Sequence, residues 1–279
     1  MKMRRFIQIL SVIVSLSLVS CEKVGGDIGG DNEVTVSYTV SCDAVTKSIG
    51  DASAINYVSY AVYLKKGAEY VLTSSFDPVP FTAGNADCPV FLTRGQSYKV
   101  VFVAQHYEGT TPSLTPAYPI DFAAKTLSSP TAPAANSENY DLFYIADEVN
   151  NYTGSQPDPV ELNRIVALVS LKCSQENWDA AEAAGKIPTH SDVTVKNVPQ
   201  SFNLLTGTVS ASTYELTYAK SQIAEPLTLA YAYCLPAGPS DVEFRMYTSE
   251  GDAYPKVINA PDVPVEKNKK TNINGAIIY

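Results

Sequence analysis

Val160–Cys173 reads VELNRIVALVSLKC, and its apolar residues recur at almost every second position. A period of two is typical of a strand with one face in a core. On this basis we predict one buried face, formed by Ile165, Ala167, Val169, Leu171 and Cys173. Leu227–Leu235 repeats the pattern and predicts a second buried face: Leu227, Leu229, Tyr231, Tyr233 and Leu235. Together these stretches predict a β-rich core for the second half of the chain.

Similar runs continue through the rest of the chain. Glu33–Cys42 (EVTVSYTVSC) alternates and predicts a half-buried strand. Ile55–Lys65 and Tyr98–Tyr107 are apolar on both faces, which is typical of central strands. Shorter strands are predicted at Glu69–Phe76, Cys88–Leu92, Leu142–Asp147, Asp192–Val198, Ser201–Ser210, Tyr214–Tyr218 and Val242–Thr248. The predicted fold class is therefore all-β, built from sandwiches.

One short helix is predicted in the second half, at Ser174–Ala184. Ser174 can cap it, and Gly185 can end it. Trp178 and Ala181 would face the sheet, so we expect this helix to have a packing role.

Glu148–Pro159 (EVNNYTGSQPDP) consists largely of turn residues and predicts a domain boundary. The expected organisation is an N-terminal β-sandwich at 33–150, a linker at 151–159 and a C-terminal β-sandwich at 160–279.

The N-terminal end has the features of a lipoprotein leader. A basic start is followed by the apolar run Phe6–Val19, which is too short to span a membrane comfortably. The end of this run overlaps the motif Leu18-Val19-Ser20-Cys21. We predict a signal peptide at 1–20, acylation of Cys21 and a Gly- and Asp-rich tether at 21–32. Two or three acyl chains would anchor the protein in the lipid bilayer, at ~0.8 kcal/mol per buried methylene. The alternative is an ordinary secretory signal with a chance cysteine.

Charge and motifs argue against several function classes. The formal net charge is −9, so no basic surface is expected to bind nucleic acid. The two histidines, His106 and His190, lie near no nucleophile motif, and the sequence has no GxSxG, HExxH or phosphate-binding loop. We therefore predict no enzymatic activity, no cofactor and no metal site.

Four cysteines follow Cys21, two in each half of the chain. An exported protein meets an oxidising compartment, where disulfides persist. The simplest pairings are Cys42–Cys88 and Cys173–Cys234. The alternative is four buried free thiols, because free cysteine is often a small core residue.

The 18 tyrosines leave a second function open. Most lie in predicted strands and are interpreted as core residues. Exposed rings could instead stack on sugars, which would indicate a surface glycan-binding lipoprotein. A row of three exposed aromatic rings would favour this alternative, and buried rings would disfavour it.

Seven stretches carry a family resemblance: YAVYLK, GQSYKVVFVAQ, FYIADEV, LNRIVALVSLK, WDAAEAAG, VPQSFNLLTG and VPVEKNKKTNING. In this order they resemble the fimbrillin-type lipoproteins of Bacteroides-like bacteria, in a branch close to domains of unknown function. The resemblance spans roughly Val34 to Tyr279. It implies two tandem β-sandwiches of transthyretin-like topology and a lipid anchor in the outer membrane, facing the cell surface. It further implies a structural subunit or adhesin that assembles with other fimbrillin subunits by strand exchange, or that contacts glycans or proteins of host or bacterial surfaces.

The resemblance also implies a maturation site. In many fimbrillin-type precursors an arginine after the first strand is cleaved, and Lys47 stands at the matching position here. A protease strict for arginine should not cut there, because an ammonium does not replace a bidentate guanidinium, whereas a lysine-tolerant protease could. A Cys42–Cys88 bridge would keep the released strand attached at high local concentration. We therefore expect an uncut protein with its first strand in place.

Overall fold

The first strand of the computed structural model, β1, spans Glu33–Cys42, as its alternation predicts. The structure describes residues 32–42, 50, 52–223, 225–252 and 255–276. The first half continues with β2 (Tyr57–Lys66), β3 (Glu69–Ser75), β4 (Val79–Pro80), β5 (Asn85–Thr93), β6 (Tyr98–Gln105), β7 (Tyr107–Glu108), β8 (Thr115–Pro116), β9 (Ile120–Asp121), β10 (Thr126–Ser128) and β11 (Leu142–Val149). A short 3-10 helix, Glu138–Tyr140, precedes β11.

The second half is also built mainly from strands, with one α-helix, α1 (Gln175–Ala183). Its strands are β12 (Val160–Arg164), β13 (Ala167–Lys172), β14 (His190–Pro199), β15 (Ser201–Asn203), β16 (Thr208–Val209), β17 (Thr213–Gln222), β18 (Thr228–Cys234), β19 (Ser240–Tyr247), β20 (Lys256–Val263) and β21 (Lys270–Asn274).

One eight-stranded sheet holds the first core. Its order is β3-β2-β6-β11-β12-β1-β5, and β4 pairs with β2. Because the sheet curls until β5 contacts β4 and β2, its concave face encloses an apolar core without a second sheet. The architecture thus differs from the two-sheet sandwich predicted for this half. Large side chains with almost no exposure fill this core, among them Tyr38, Tyr60, Phe102 and Leu92.

The second core lies between two sheets, as predicted for the second half. The sheet β18-β13-β21 faces the sheet β17-β14-β19-β20. Helix α1 covers this core with the buried Ala181 and the half-buried Trp178. The Ser174 hydroxyl accepts from the Asn177 N–H at 3.2 Å, which confirms the predicted helix cap.

A third apolar cluster, here called the joining layer, lies between the convex face of the first sheet and the second half. The first sheet contributes Tyr63, Val101, Val103, Leu142 and Tyr144, and β18 contributes Tyr231 and Tyr233. A small sheet, β16-β15-β10-β9, adds strands from both halves. Asn32–Tyr279 consequently forms one compact unit.

The path between the halves differs from the expected linker. β12 pairs with β1 and β11, and its Val160 and Leu162 lie in the first core. The chain therefore leaves the first sheet at 165–166, after β12, rather than within 151–159. A run of alternating apolar residues cannot show this, because it does not reveal which core each strand enters.

The predicted core residues are buried, except for the half-buried Leu227, but they divide between two clusters. Val169, Leu171 and Leu229 lie in the second core, as expected. Ile165, Tyr231 and Tyr233 lie in the joining layer instead. Every residue of β18 is buried, because this strand has one core on each side.

A buried ion pair stands at the point where the chain leaves the first sheet. Arg164 donates from Nε and Nη2 to the two carboxylate oxygens of Asp141, each at 2.8 Å. The two side chains are 2% and 1% exposed. Arg164 Nη2 also donates to the Gly50 carbonyl at 2.7 Å, and the guanidinium carbon lies 4.7 Å from the centre of the Phe143 ring. Arg164 thus connects three separate segments of the chain.

Truncation of Tyr231 tests the joining layer. This side chain is 8% exposed, so Tyr231→Ala should lower the free energy of unfolding by about 3–5 kcal/mol, as for other large buried aromatics. Urea denaturation measures the loss. The matched control is Phe91→Ala, at a ring that is 48% exposed, for which we expect a change of about 0.5 kcal/mol. Equal losses for the two variants would contradict the proposed packing.

Removal of one charge tests the buried ion pair. Asp141→Asn should destabilise the protein by about 3–5 kcal/mol, because the buried guanidinium loses its counter-charge. Asp241→Asn is the control, since it breaks an exposed pair in which Asp241 and Lys196 are 54% and 52% exposed. That change should cost about 0–1 kcal/mol in the same denaturation experiment. A loss at Asp141 as small as the loss at Asp241 would refute the expectation.

Candidate functional site

The first strand of the described chain lies inside a sheet rather than at its margin. β1 pairs antiparallel with β5 from Glu33 to Ser41, and parallel with β12. Four of its side chains point into the first core: Val36, Tyr38, Val40 and Cys42. Removal of β1 would therefore open an apolar groove between β5 and β12, lined by Cys88, Val90, Leu92, Val160 and Leu162.

Tyr38 is the largest side chain that β1 contributes. Its ring centre lies 5.1 Å from that of Phe102, and its hydroxyl donates to Asp147 Oδ2 at 3.0 Å. Burial, and then the negative charge of Asp147, raise the pKa of Tyr38 well above its usual value. The hydroxyl therefore remains a donor at physiological pH and connects β1 to β11.

One edge of β1 lacks a partner strand over most of its length. Pairing with β12 covers only Val40–Cys42. Gln156 Nε2 donates to the Ser37 carbonyl, which therefore points away from β5. Backbone groups two residues apart in a strand point the same way, so the N–H and C=O groups of Thr35 and Thr39 also point away from β5. No strand of the described residues pairs with β1 here from Glu33 to Thr39, and we call this stretch the free edge.

The segment 151–159, here called the strap, connects β11 to β12 beside this edge. It is fixed at its start, where the Tyr152 N–H donates to the Gln96 carbonyl at 2.7 Å and the Gly95 N–H donates to the Tyr152 carbonyl at 2.8 Å. The Tyr152 side chain is 4% exposed and lies in the first core. Pro157 and Pro159 have no N–H, so the strap cannot extend β12 along the free edge as a regular ladder.

A cavity of about 310 Å³ lies between the strap and the sheet. Its lining includes Tyr38, Asp147, Tyr152, Gln156, Asp158 and Val160. The Tyr152 hydroxyl is buried and has no hydrogen-bond partner among the described residues. An acidic cavity with an unsatisfied hydroxyl, beside an unpaired strand edge, makes this region the candidate functional site.

The predicted site residues and this region overlap only in part. Cys21 and Lys47 lie outside the described residues, so their roles stay predictions. Sequence reasoning missed Asp147, Tyr152, Gln156 and Asp158. The available signal was Pro157 and Pro159, which stand directly before a predicted strand. Proline has no N–H to donate, so this strand cannot continue through them, whereas the strands beside it can.

In the described part of the chain the four cysteines after Cys21 form no disulfide with one another, and all four are buried. Cys88 of β5 pairs with Tyr38 of β1. Tyr38 is four residues from Cys42, a distance of about 13 Å along the strand. Cys234 faces Ala167, six positions from Cys173, or about 20 Å. A disulfide needs Cα atoms within about 7 Å, so neither expected pairing forms in this structure. Burial raises the pKa of Cys88 and that of Cys234 to about 12, which keeps both thiols protonated.

The aromatic side chains form no sugar-stacking row in the described part of the chain. Every tyrosine described is buried or half-buried, and Trp178 is half-buried. Phe91 is the single exposed ring there, and it is 48% exposed. The structure therefore disfavours the glycan-binding alternative by the criterion stated above.

The histidines likewise show no catalytic arrangement. His106 donates from Nδ1 to the Ala54 carbonyl at 2.9 Å, and His190 Nδ1 lies 2.9 Å from the Thr189 hydroxyl. Over the ranges described, no three metal-binding side chains come together. The described residues also contain no helix long and apolar enough to cross a membrane.

Several solved structures resemble this fold at low sequence identity. A fimbrial assembly protein from Parabacteroides distasonis is 14% identical, with 87% of this chain and 91% of that chain covered and a TM-score of 0.48. A proposed cell adhesion protein from Bacteroides uniformis is 12% identical, with coverages of 86% and 92% and a TM-score of 0.48. A proposed adhesin from Bacteroides ovatus is 15% identical, with coverages of 87% and 86% and a TM-score of 0.48.

No curated protein matches the chain. The family model of DUF6562, a family of unknown function, matches residues 27–278, and the chain therefore belongs to this family.

Proposed function

We propose that the chain is a lipid-anchored structural subunit or adhesin of fimbrillin type, held in the outer membrane through acylated Cys21 and exposed at the cell surface. The observation that carries this proposal is the position of β1. The strand that directly follows the predicted tether is built into the first sheet and buries four side chains in its core. A tether joined to such a strand would hold the whole folded body. Its proposed partners are the lipid bilayer, other fimbrillin subunits, and glycans or proteins of neighbouring surfaces.

Assembly by strand exchange is the finer part of this proposal. Cleavage after Lys47 would separate β1 from the rest of the chain and make the groove between β5 and β12 available to a donor strand. Cys42 and Cys88 form no disulfide with each other in the described structure, which removes one obstacle, because no such bond then holds β1 to β5. Lysine in place of arginine remains an obstacle for an arginine-specific protease. We therefore propose that β1 stays in place unless a lysine-tolerant protease acts.

Loss of the acylated thiol tests the anchor. Cys21→Ser should abolish fatty-acid labelling and release the protein from the membrane fraction, because serine offers no sulfur for the diacylglyceryl group. Metabolic labelling followed by fractionation measures both effects. Cys42→Ser is the matched control and should remain labelled and membrane-bound. Undiminished labelling of Cys21→Ser would refute the anchor.

The N-terminus of the native protein tests maturation. Intact mass and N-terminal sequencing should find a full-length monomer that begins at acylated Cys21. SDS-resistant ladders built from subunits that begin at Ser48 would show cleavage and exchange instead. In that case Lys47→Gln should abolish the ladders, which would assign them to this cut.

A further inference from the structure

The free edge of β1 offers hydrogen-bonding groups to an added strand. Thr35, Ser37 and Thr39 direct their backbone N–H and C=O groups away from β5, and only the Ser37 carbonyl is seen to receive a bond, from Gln156. Unpaired strand edges of this kind are templates for an extended segment of another chain. The core face of β1 is not needed for such a contact, since the added strand would lie beside β1.

The strap covers this edge weakly. In the described structure, its hydrogen bonding to β1 is the single Gln156 side-chain bond. The start of the strap is held elsewhere, by Tyr152 on the turn between β5 and β6. The end of the strap leads directly into Val160, which pairs with Val40 of β1. In the described structure no backbone hydrogen bond of the strap reaches Thr35 or Thr39, so their backbone groups are open to an added strand while Asp158 keeps its place beside the cavity.

The cavity beside the edge selects the chemistry of the occupant. Asp147 and Asp158 line it, and neither has an ion-pair partner in the part of the chain that the structure describes. Glu148 also lines the cavity, but Lys65 and Lys99 each lie 3.8 Å from its carboxylate. The carboxylates of Asp147 and Asp158 are thus available to pair with a positively charged side chain. The buried Tyr152 hydroxyl is available to form a hydrogen bond with a polar group.

We propose that the free edge of β1 binds an extended basic segment of a partner protein, which adds as a strand while β1 stays in place. Its backbone pairs with Thr35, Ser37 and Thr39, and a lysine or arginine side chain enters the cavity towards Asp147 and Asp158. Charge complementarity favours such a partner over a second copy of this chain, whose formal net charge is −9. This contact deepens the proposed function, because it gives an uncut subunit a route to assembly.

A peptide-binding experiment with the purified full chain tests the chemistry. The probe is a fluorescent heptapeptide of alternating valine and lysine, and the matched probe carries glutamate instead of lysine. Fluorescence anisotropy should detect the lysine peptide only. The double variant Asp147→Asn, Asp158→Asn should bind it about tenfold more weakly, because two facing charges are lost. Asp241→Asn, on β19 in the second half of the chain, should bind it like the unchanged protein.

Hydrogen exchange separates strand addition from strand replacement. The lysine peptide should slow exchange of the Thr35, Ser37 and Thr39 amides. Thr35→Pro should abolish binding and leave the β5 ladder intact, because the lost N–H faces away from β5. Should Thr35→Pro fail to fold, the aspartate double variant decides the question. Equal binding of both peptides, no binding, faster exchange throughout β1, or self-association that excludes the peptide would each overturn the proposal. None of these outcomes depends on whether Cys21 is acylated, so they are distinct from failure of the proposed function.

Discussion

The buried pair of Arg164 and Asp141 is the interaction on which the arrangement of the two halves depends. It occupies the point where the chain passes from β12 to β13, and it also holds the Gly50 carbonyl. A Cβ at residue 50 would collide with the Glu138 carboxylate and the Tyr233 hydroxyl, so any larger residue there would force these two side chains to shift. Tyr233 in turn donates to Glu138 at 2.6 Å. A charge buried in this way is costly unless it is paired, and the full set of partners explains how it is tolerated.

The joining layer explains why the two halves do not behave as separate sandwiches. Both faces of β2, β6 and β18 are apolar because each strand has a core on either side. The sequence supported this for β2 and β6, which were predicted to be central strands. It did not reveal that Tyr231 and Tyr233 face the first sheet, because a strand with two buried faces has no distinct polar side. The short strand β10 also joins the two halves, because its partner β15 is distant in sequence.

Local sequence patterns therefore predicted individual strands and the helix better than they predicted which strands pair with each other. The bounds of β1 and the cap of α1 followed from alternation and from Ser174. The cysteine pairings and the domain boundary did not, because both depend on the register and the order of strands. The candidate site shows the same division. Pro157 and Pro159 marked an interruption, but only the pairing of β1 with β12 shows that an unpaired edge lies beside it.

The position of β1 has a mechanical consequence. A body held at Cys21 would receive any tension from the surface through the residues before Glu33, and thus at the start of β1. Because β1 pairs with β5 from Glu33 to Ser41, a pull along the strand loads these hydrogen bonds together in shear. A pull across the strand would instead break them one after another, like a zipper. Resistance to detachment would therefore depend on the direction of the force, and an added strand at the free edge would share the load.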